Sequence, residues 1–154
     1  MRTRLVALVV VVATAGCQGE LPVAVPSVTS GRLSDEDQIA TMLEDVHQGL
    51  QTRHIFKVLA HISRNYTDPE GRDYDALQQY LNESFRNDRQ IRITRATPRI
   101  IVQGDRARVI ETFGTRAEPF KPESNPHINL QGQVNIYLEK TDEGWMITEW
   151  SRVQ

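Results

Sequence analysis

Two carboxylates stand out because they interrupt apolar rows. Glu111 shares one face of an alternating segment with Ala107, Val109 and Phe113, and Glu149 follows Trp145 and Ile147 at the same two-residue step. Alternate residues of a strand share a face, so each acid sits among buried neighbours if that face lines a cavity. A carboxyl group in such a place suits general acid or base work. The other reading is that these positions, near strand ends, reach solvent or belong to an outer face. Tyr66, Tyr74, Tyr80 and Trp150 are candidate contacts for a bound small molecule, although their spacing also fits core packing with a polar tip left wet.

His47, His54 and His61 recur every seven residues. On one continuous helix, at about 1.5 Å per residue, neighbours would stand about 10 Å apart. A shared metal needs ligands at about 2 Å, and helical ligand pairs use three- or four-residue steps that are missing here. His127 lies in a proline-rich stretch. All four are expected to be solvated or capping side chains, with no metal bound. Asp68, Glu70, Asp73 and Asp75 surround Gly71 without the oxygen ladder and distal Glu of a calcium loop, and read as a turn plus a helix cap. The folded part has no G-x-S-x-G, no phosphate-cradling glycine loop and no cysteine nucleophile, and no cofactor is expected.

The elements that must position these residues come as helices first and strands second. Ser34 caps an amphipathic helix whose apolar stripe is Ile39, Met42, Leu43, Val46 and Leu50, with Asp35, Glu36 and Asp37 in its first turn. A short helical stretch follows around Ile55, Phe56, Leu59 and Ile62. After a turn at 66–71, Asp73 can cap a third helix carrying Tyr74, Leu77, Tyr80, Leu81 and Phe85. From Ile91 the period becomes two. Strands are expected at 91–94, 99–102, 106–115, 128–140 and 145–152, with turns at Gly104-Asp105 and 141–144. Residues 117–127 hold Pro119, Pro122 and Pro126 and cannot form a central strand. The strand 128–140 is expected to be central, with Leu130, Val134, Ile136 and Leu138 toward the helices. Helices followed by hairpins specify an α+β fold with a mostly antiparallel sheet. The expected core adds Leu59, Leu77, Leu81, Ile100, Val109, Trp145 and Ile147.

The N-terminus reads as an address. Arg2 and Arg4 precede the aliphatic run Leu5–Val12, then Ala13-Thr14-Ala15-Gly16 and Cys17. This is a secretory signal, too short to span a bilayer. A Gly-Cys junction resembles a bacterial lipoprotein signal, in which the cysteine becomes the lipidated N-terminus. Thr14 stands where such signals usually carry an aliphatic residue, and Ala13-Thr14-Ala15 also reads as an ordinary signal-peptidase site, with cleavage after Ala15. The expected layout is a signal peptide over 1–16, a lipid-anchored tether over 17–33 and one domain over 34–154. By the same resemblance Gln18, rather than Asp, allows delivery to the outer membrane, facing the periplasm.

With 154 residues, 39% hydrophobic and 25% charged, the chain has ordinary one-domain composition. Its net charge of −2 argues against nucleic acid as a partner, since phosphate binding is largely electrostatic. Loss of residues 1–16 removes Arg2 and Arg4 and makes the chain more acidic, so a membrane would have to be held by acyl chains on Cys17. A single cysteine excludes an internal disulfide.

Three helices before a curved meander, with the segment Ile100–Val109 and the closing hairpin Asp142–Trp150, resemble the nuclear transport factor 2-like superfamily, including its SnoaL-like and ketosteroid-isomerase-like groups. The resemblance covers about Ser34 to Arg152. It implies a sheet wrapped around the helices as a cone with a pocket at its mouth, and a homodimer through the outer sheet face. The row Asn129, Gln131, Gln133, Asn135 and Tyr137 is the surface such a dimer would use. The superfamily holds isomerases, dehydratases, hydrolases, carriers and inert modules, so fold alone does not give activity. Neither the Asp-His dyad of the dehydratases nor the Tyr-plus-Asp pair of the isomerases can be placed here position by position. Two functions follow. The preferred one is a non-catalytic envelope lipoprotein whose cone binds a small apolar ligand or whose sheet binds a protein. The alternative is a small lyase, isomerase or hydrolase using Glu111 or Glu149.

Overall fold

The computed structural model describes residues 33–152. The signal segment, Cys17 and the tether before Leu33 lie outside the described residues. Three helices, α1 (Asp35–Thr52), α2 (Ile55–Leu59) and α3 (Tyr74–Asn87), precede five strands: β1 (Asp88–Arg95), β2 (Arg99–Gln103), β3 (Arg106–Pro119), β4 (Ile128–Thr141) and β5 (Gly144–Arg152). Among the described residues no helix is long and apolar enough to cross a membrane.

Local chemistry sets the helix boundaries. Ser34 Oγ accepts the N–H of Asp37 at 3.1 Å, and the three acids of the first turn complement the helix dipole. Helix α1 stops at Arg53, which adopts a left-handed conformation with φ 58°. The Arg53 guanidinium is tied down by donating to the carbonyl of Asp88 at 3.1 Å. His54 stands at the N-cap position of α2 without a side-chain capping bond, so α1 and α2 are separate helices and the seven-residue histidine spacing never lies on one cylinder. Their crossing is close: a Cβ on Gly49 would lie 2.8 Å from Val58 Cγ2. Asp73 Oδ1 accepts the N–H of Ala76 at 2.9 Å and opens α3.

Strand β3 is the hub of a curved, unclosed antiparallel sheet. Its first half pairs with β2, its second half with β1, and its whole other edge with β4. Strand β4 lies between β3 and β5, as its length suggested. The β3 ladder runs beyond Thr115 through Ala117 to Pro119, a correction to the expectation that irregular structure begins at 117. Pro119 is tolerated because it ends the strand, opposite Asp88 at the start of β1. The outer edge of β5 is covered by the chain after α2. Ile147 N–H donates to the carbonyl of His61 and Ser63 N–H to the carbonyl of Ile147, each at 2.8 Å, and Thr67 N–H donates to the carbonyl of Thr148 at 3.0 Å. That pairing blunts an edge that would otherwise invite association.

The core lies between α1 and the concave face. Ile39, Leu43, Val46, Val109, Ile136 and Ile147 are fully buried, with Leu59, Leu81, Val134, Leu138 and Trp145 close behind. Leu50, Leu77, Phe85 and Ile100 are only partly buried and pack at its margin. One end of α1 is pinned to the β4–β5 hairpin, where Asp35 Oδ1 accepts from Lys140 Nζ at 2.6 Å and from Trp145 Nε1 at 3.3 Å.

The loop before α3 is organised by Asp68, whose side chain is fully buried. It accepts from Arg72 Nε at 2.6 Å, from the backbone N–H groups of Arg72 and Glu70 at 2.9 and 3.1 Å, and from the Tyr66 hydroxyl at 3.3 Å. Burial alone would raise this carboxyl, but the bonds and charge of Arg72 outweigh it and hold Asp68 below its ordinary range. The acidic cluster is thus a turn and a cap, and among the described residues no group of acids, His or Cys is arranged to hold a metal.

Two stability outcomes follow. Leu43→Ala, at a site with no exposed surface, should cost about 2–5 kcal/mol in urea denaturation. Asp68→Asn should cost about 1–3 kcal/mol at neutral pH. A depressed carboxyl contributes its full stability above its unfolded value, 3.8, and loses it as pH falls through the lower folded value. The gap between wild type and Asp68→Asn should therefore narrow once pH drops below about 4. A gap that stays constant into strong acid would show that the loop does not depend on this charge.

Candidate active site

Glu111 sits near the middle of β3 on the concave face, in the row with Ala107 and Val109, and is 1% exposed. Its cross-strand neighbour Val134 is also buried and apolar, so β4 gives it no polar partner. Its partners are a histidine and an arginine from two other elements. His47 Nε2 lies 3.0 Å from Glu111 Oε2, and Arg95 Nη1 donates to Glu111 Oε1 at 3.2 Å. Arg95, at the end of β1, also pairs with the exposed Glu44 on α1.

His47 is 2% exposed, which corrects the expectation of a solvated or capping histidine. It comes four residues after Leu43 and three before Leu50, which puts it on the inner stripe of α1. Its Nδ1 lies 2.5 Å from the carbonyl of Leu43. A carbonyl can only accept, so Nδ1 carries a hydrogen and Nε2 is the nitrogen free to exchange one. Nε2 faces a carboxylate oxygen, and two bare lone pairs at that distance would repel, so one proton belongs to the pair. The approach is close but not in line, and Glu111 Oε2 is buried without an aligned hydrogen-bond donor. A buried acceptor left in that state is costly to a folded protein and is a place where a ligand's hydroxyl fits.

The pair opens onto a cavity. A small inner chamber of about 90 Å³ is lined by His47, Glu111, Ile93, Leu50, Phe113, Thr115 and Trp150. The last four also line an outer chamber of about 340 Å³ that continues past Tyr66, Leu77, Leu81, Leu130 and Val134. The half-exposed Tyr80 and Ile128 mark its mouth. The Trp150 ring meets His47 edge-on, with centroids 6.1 Å apart and planes at 69°.

The structure separates the two carboxylates. Strict alternation would put Glu149 beside Trp145 and Ile147 on the concave face. A bulge in the β4–β5 ladder inserts one extra residue: Leu138 pairs with Ile147, whereas Tyr137 pairs with Glu149. Glu149 therefore shares the convex face with Tyr137, and Trp150 moves inward beside Ile136. Of the candidate contact residues, Trp150 and Tyr66 line the cavity and Tyr80 stands at its mouth. Tyr66 is held as a neutral phenol, pushed upward first by burial and then by Asp68. Tyr74 instead packs under the Arg64 guanidinium, 4.0 Å from its ring centre. His54 is exposed, and His61 lies 3.8 Å from Asp45 on the helical surface, where burial holds it below its ordinary value of 6.5.

Arg95 and His47 are the members of the site that a reading of the sequence passed over. His47 carried a usable signal in its place on the apolar stripe. Arg95 carried none, because its role depends on how β1 lies against β3.

No protein-family model and no curated protein matches the sequence. Solved structures do match in fold. A proposed scytalone dehydratase from Novosphingobium aromaticivorans is similar with a TM-score of 0.68 and 19% identity, over 78% of this chain and 85% of that one. A proposed dehydratase of the NTF2-like family from Streptomyces avermitilis gives 0.64 and 12%, over 78% and 96%. An NTF2-like superfamily protein from Salmonella enterica gives 0.66 and 14%, over 77% and 89%. With identities this low the likeness speaks to fold, and it agrees with the element order and curved sheet: the domain has the nuclear transport factor 2-like fold.

Proposed function

We propose that the domain is a small acid–base enzyme, a lyase or isomerase, that moves a proton on a compact and largely apolar substrate held in its cone. The observation that carries this reading is the buried His47–Glu111 pair at the closed end of an apolar cavity. Desolvating two ionisable groups costs several kcal/mol, and a pair kept where a Leu and a Phe would pack is a functional-site candidate. The proposed dehydratases among the structural neighbours lend support at the level of fold.

In this reading the His47–Glu111 pair takes and returns the proton: Glu111 Oε2, which has no aligned donor, is the base, and His47 Nε2 beside it carries the pair's proton. The Leu43 carbonyl holds the ring through Nδ1–H, which leaves Nε2–H as the acid beside the carboxylate. Arg95 keeps Glu111 in place through its other oxygen. For a β-hydroxy ketone, Glu111 Oε2 would take the proton next to the carbonyl. The C–H electron pair becomes the double bond, the C–O bond breaks, and the departing hydroxyl leaves as water with the proton from His47 Nε2; Glu111 then passes its new proton across to Nε2 and the pair is restored. The Phe113 and Trp150 rings exclude water and hold a flat substrate against the base.

The enzyme is further read as an envelope lipoprotein, exported by residues 1–16 and anchored through Cys17, on the strength of the Arg2–Cys17 pattern alone. Cys17→Ser should abolish metabolic labelling by palmitate and release the chain from membranes. A wild type that takes up no acyl label would sink the anchor.

The catalytic reading is tested by incubating purified protein with a panel of cyclic β-hydroxy ketones in D₂O and following water loss and deuterium incorporation by NMR. The wild type should act on a subset. His47→Gln should lose about 10²–10⁴-fold, the usual worth of a positioned acid or base, with its fold intact by circular dichroism. Glu111→Gln should lose at least as much, since it removes the base. No turnover across the panel, or equal turnover by His47→Gln, would leave the cavity as a binding site only.

A further inference from the structure

The bulge that turns Trp150 inward also turns Arg152 inward. In the ladder Glu111 pairs with Val134, and Val134 pairs with Arg152. The three residues form one cross-strand row on the concave face, so Arg152 stands two strand spacings from Glu111, about 10 Å between Cα atoms. Arg152 lines the outer chamber and is exposed. Its side chain makes no hydrogen bond or ion pair among the described residues.

The other arginine at the mouth is committed. Arg72 gives its Nε to Asp68 at 2.6 Å and an Nη to Glu70 at 3.2 Å, and its guanidinium lies 4.7 Å from the centre of the Tyr80 ring. Arg72, Arg152, Asp68 and Glu70 balance in charge, so the mouth exerts no long-range pull on anions. What it offers is one uncommitted, always-charged donor fork at the rim of an apolar cavity. A planar fork of that kind matches a carboxylate in two parallel bonds.

From this geometry we infer that the natural ligand is a cyclic carboxylic acid, an apolar ring body between Phe113 and Trp150 whose carboxylate is held by Arg152 at the mouth. The inference rests on reading the His47 end as the reacting end, and it adds the ligand's charge and its approximate length. The reacting carbon and the carboxylate must be separated by about one ring and a short arm, because an Arg side chain spans most of the gap between the two strands. The ring body is sized for the outer chamber of about 340 Å³, with the reacting edge entering the inner one.

A matched pair of probes tests the charge directly: 1-naphthaleneacetate and its neutral amide, which differ only in the group that would meet Arg152. Binding is followed by isothermal titration and by quenching of tryptophan fluorescence. The wild type should bind the acid at least about 10-fold more tightly than the amide. Arg152→Gln should reduce that preference to within about two-fold while leaving amide binding unchanged, and Arg152→Lys should restore part of it. Arg92→Gln, on the outer sheet face, should leave the preference intact. His47→Gln should leave it intact as well, so a failed catalytic reading and a failed charge reading give different results. Equal binding of acid and amide by the wild type would overturn the inference. So would a preference that survives Arg152→Gln, or no saturable binding of either probe.

Discussion

Everything in this domain is arranged around one buried carboxylate. Glu111 has almost no access to water, and its tolerable environment consists of two groups, His47 from α1 and Arg95 from β1. Each belongs to an element that could dock elsewhere if apolar area alone decided the packing. Removing either partner would leave a desolvated charge, a penalty of several kcal/mol against a total stability of about 5–15. The pair therefore acts as a registry device. Helix α1 must cross the sheet where His47 meets β3, and β1 must run back along β3 until Arg95 lies beside Glu111. Arg95 also reaches Glu44 on α1, so the same guanidinium ties the first helix to the first strand.

That arrangement leaves a cavity because the helical layer does not cover the concave face evenly. Ile39, Leu43 and Val46, buried against the sheet, fill the space under the earlier turns of α1. Toward Leu50 and Leu77 the side chains are only partly covered, and the space between them and the sheet is the chamber. Apolar area left unburied there is stability forgone, an accepted cost where a ligand supplies the missing contacts. The bulge after Tyr137 decides what lines that space. Without it Trp150 and Arg152 would face outward and Glu149 inward, giving a second carboxylate where the structure has an aromatic wall and a cation.

Much of the architecture was legible in the sequence because it is written in local chemistry. Ser34 and Asp73 announce their helices by capping, Gly104 and Gly144 mark turns that need positive φ, and the apolar alternation of β4 follows from its position inside the sheet. Glu111 was legible too, since a carboxylate in a row of Ala, Val and Phe breaks a simple pattern. Its partners were harder to see for different reasons. His47 was legible in its position on the stripe, but as one of three histidines at seven-residue steps it was grouped with His54 and His61 as solvated or capping, and the left-handed Arg53 separates it from them by ending the helix. The bulge had no signal at all, because nothing in Ile147-Thr148-Glu149-Trp150 says which residue is the extra one. Strands carry a period of two only while the ladder is regular, and one inserted residue inverts the facing of all that follow.

The same parity governs the outer face. The small net charge of the chain hides an uneven partition: α1 carries Asp35, Glu36, Asp37, Glu44 and Asp45 and no Lys or Arg, whereas the convex side of β1 and β3 carries Arg92, Arg108 and Arg116. Arg92 and Arg116 are direct cross-strand neighbours, a like-charged pairing that disfavours the sheet unless water or a partner screens it. Arg108 is relieved in another way, by donating two bonds to Asn135 at 3.0 and 2.7 Å beside the Tyr137 ring. The amide row of β4 is thus partly spent on satisfying its arginine neighbours and is not a free, uncharged strip. Only one face of an antiparallel sheet needs to supply the core, and here it is the concave one, which also lines the cavity.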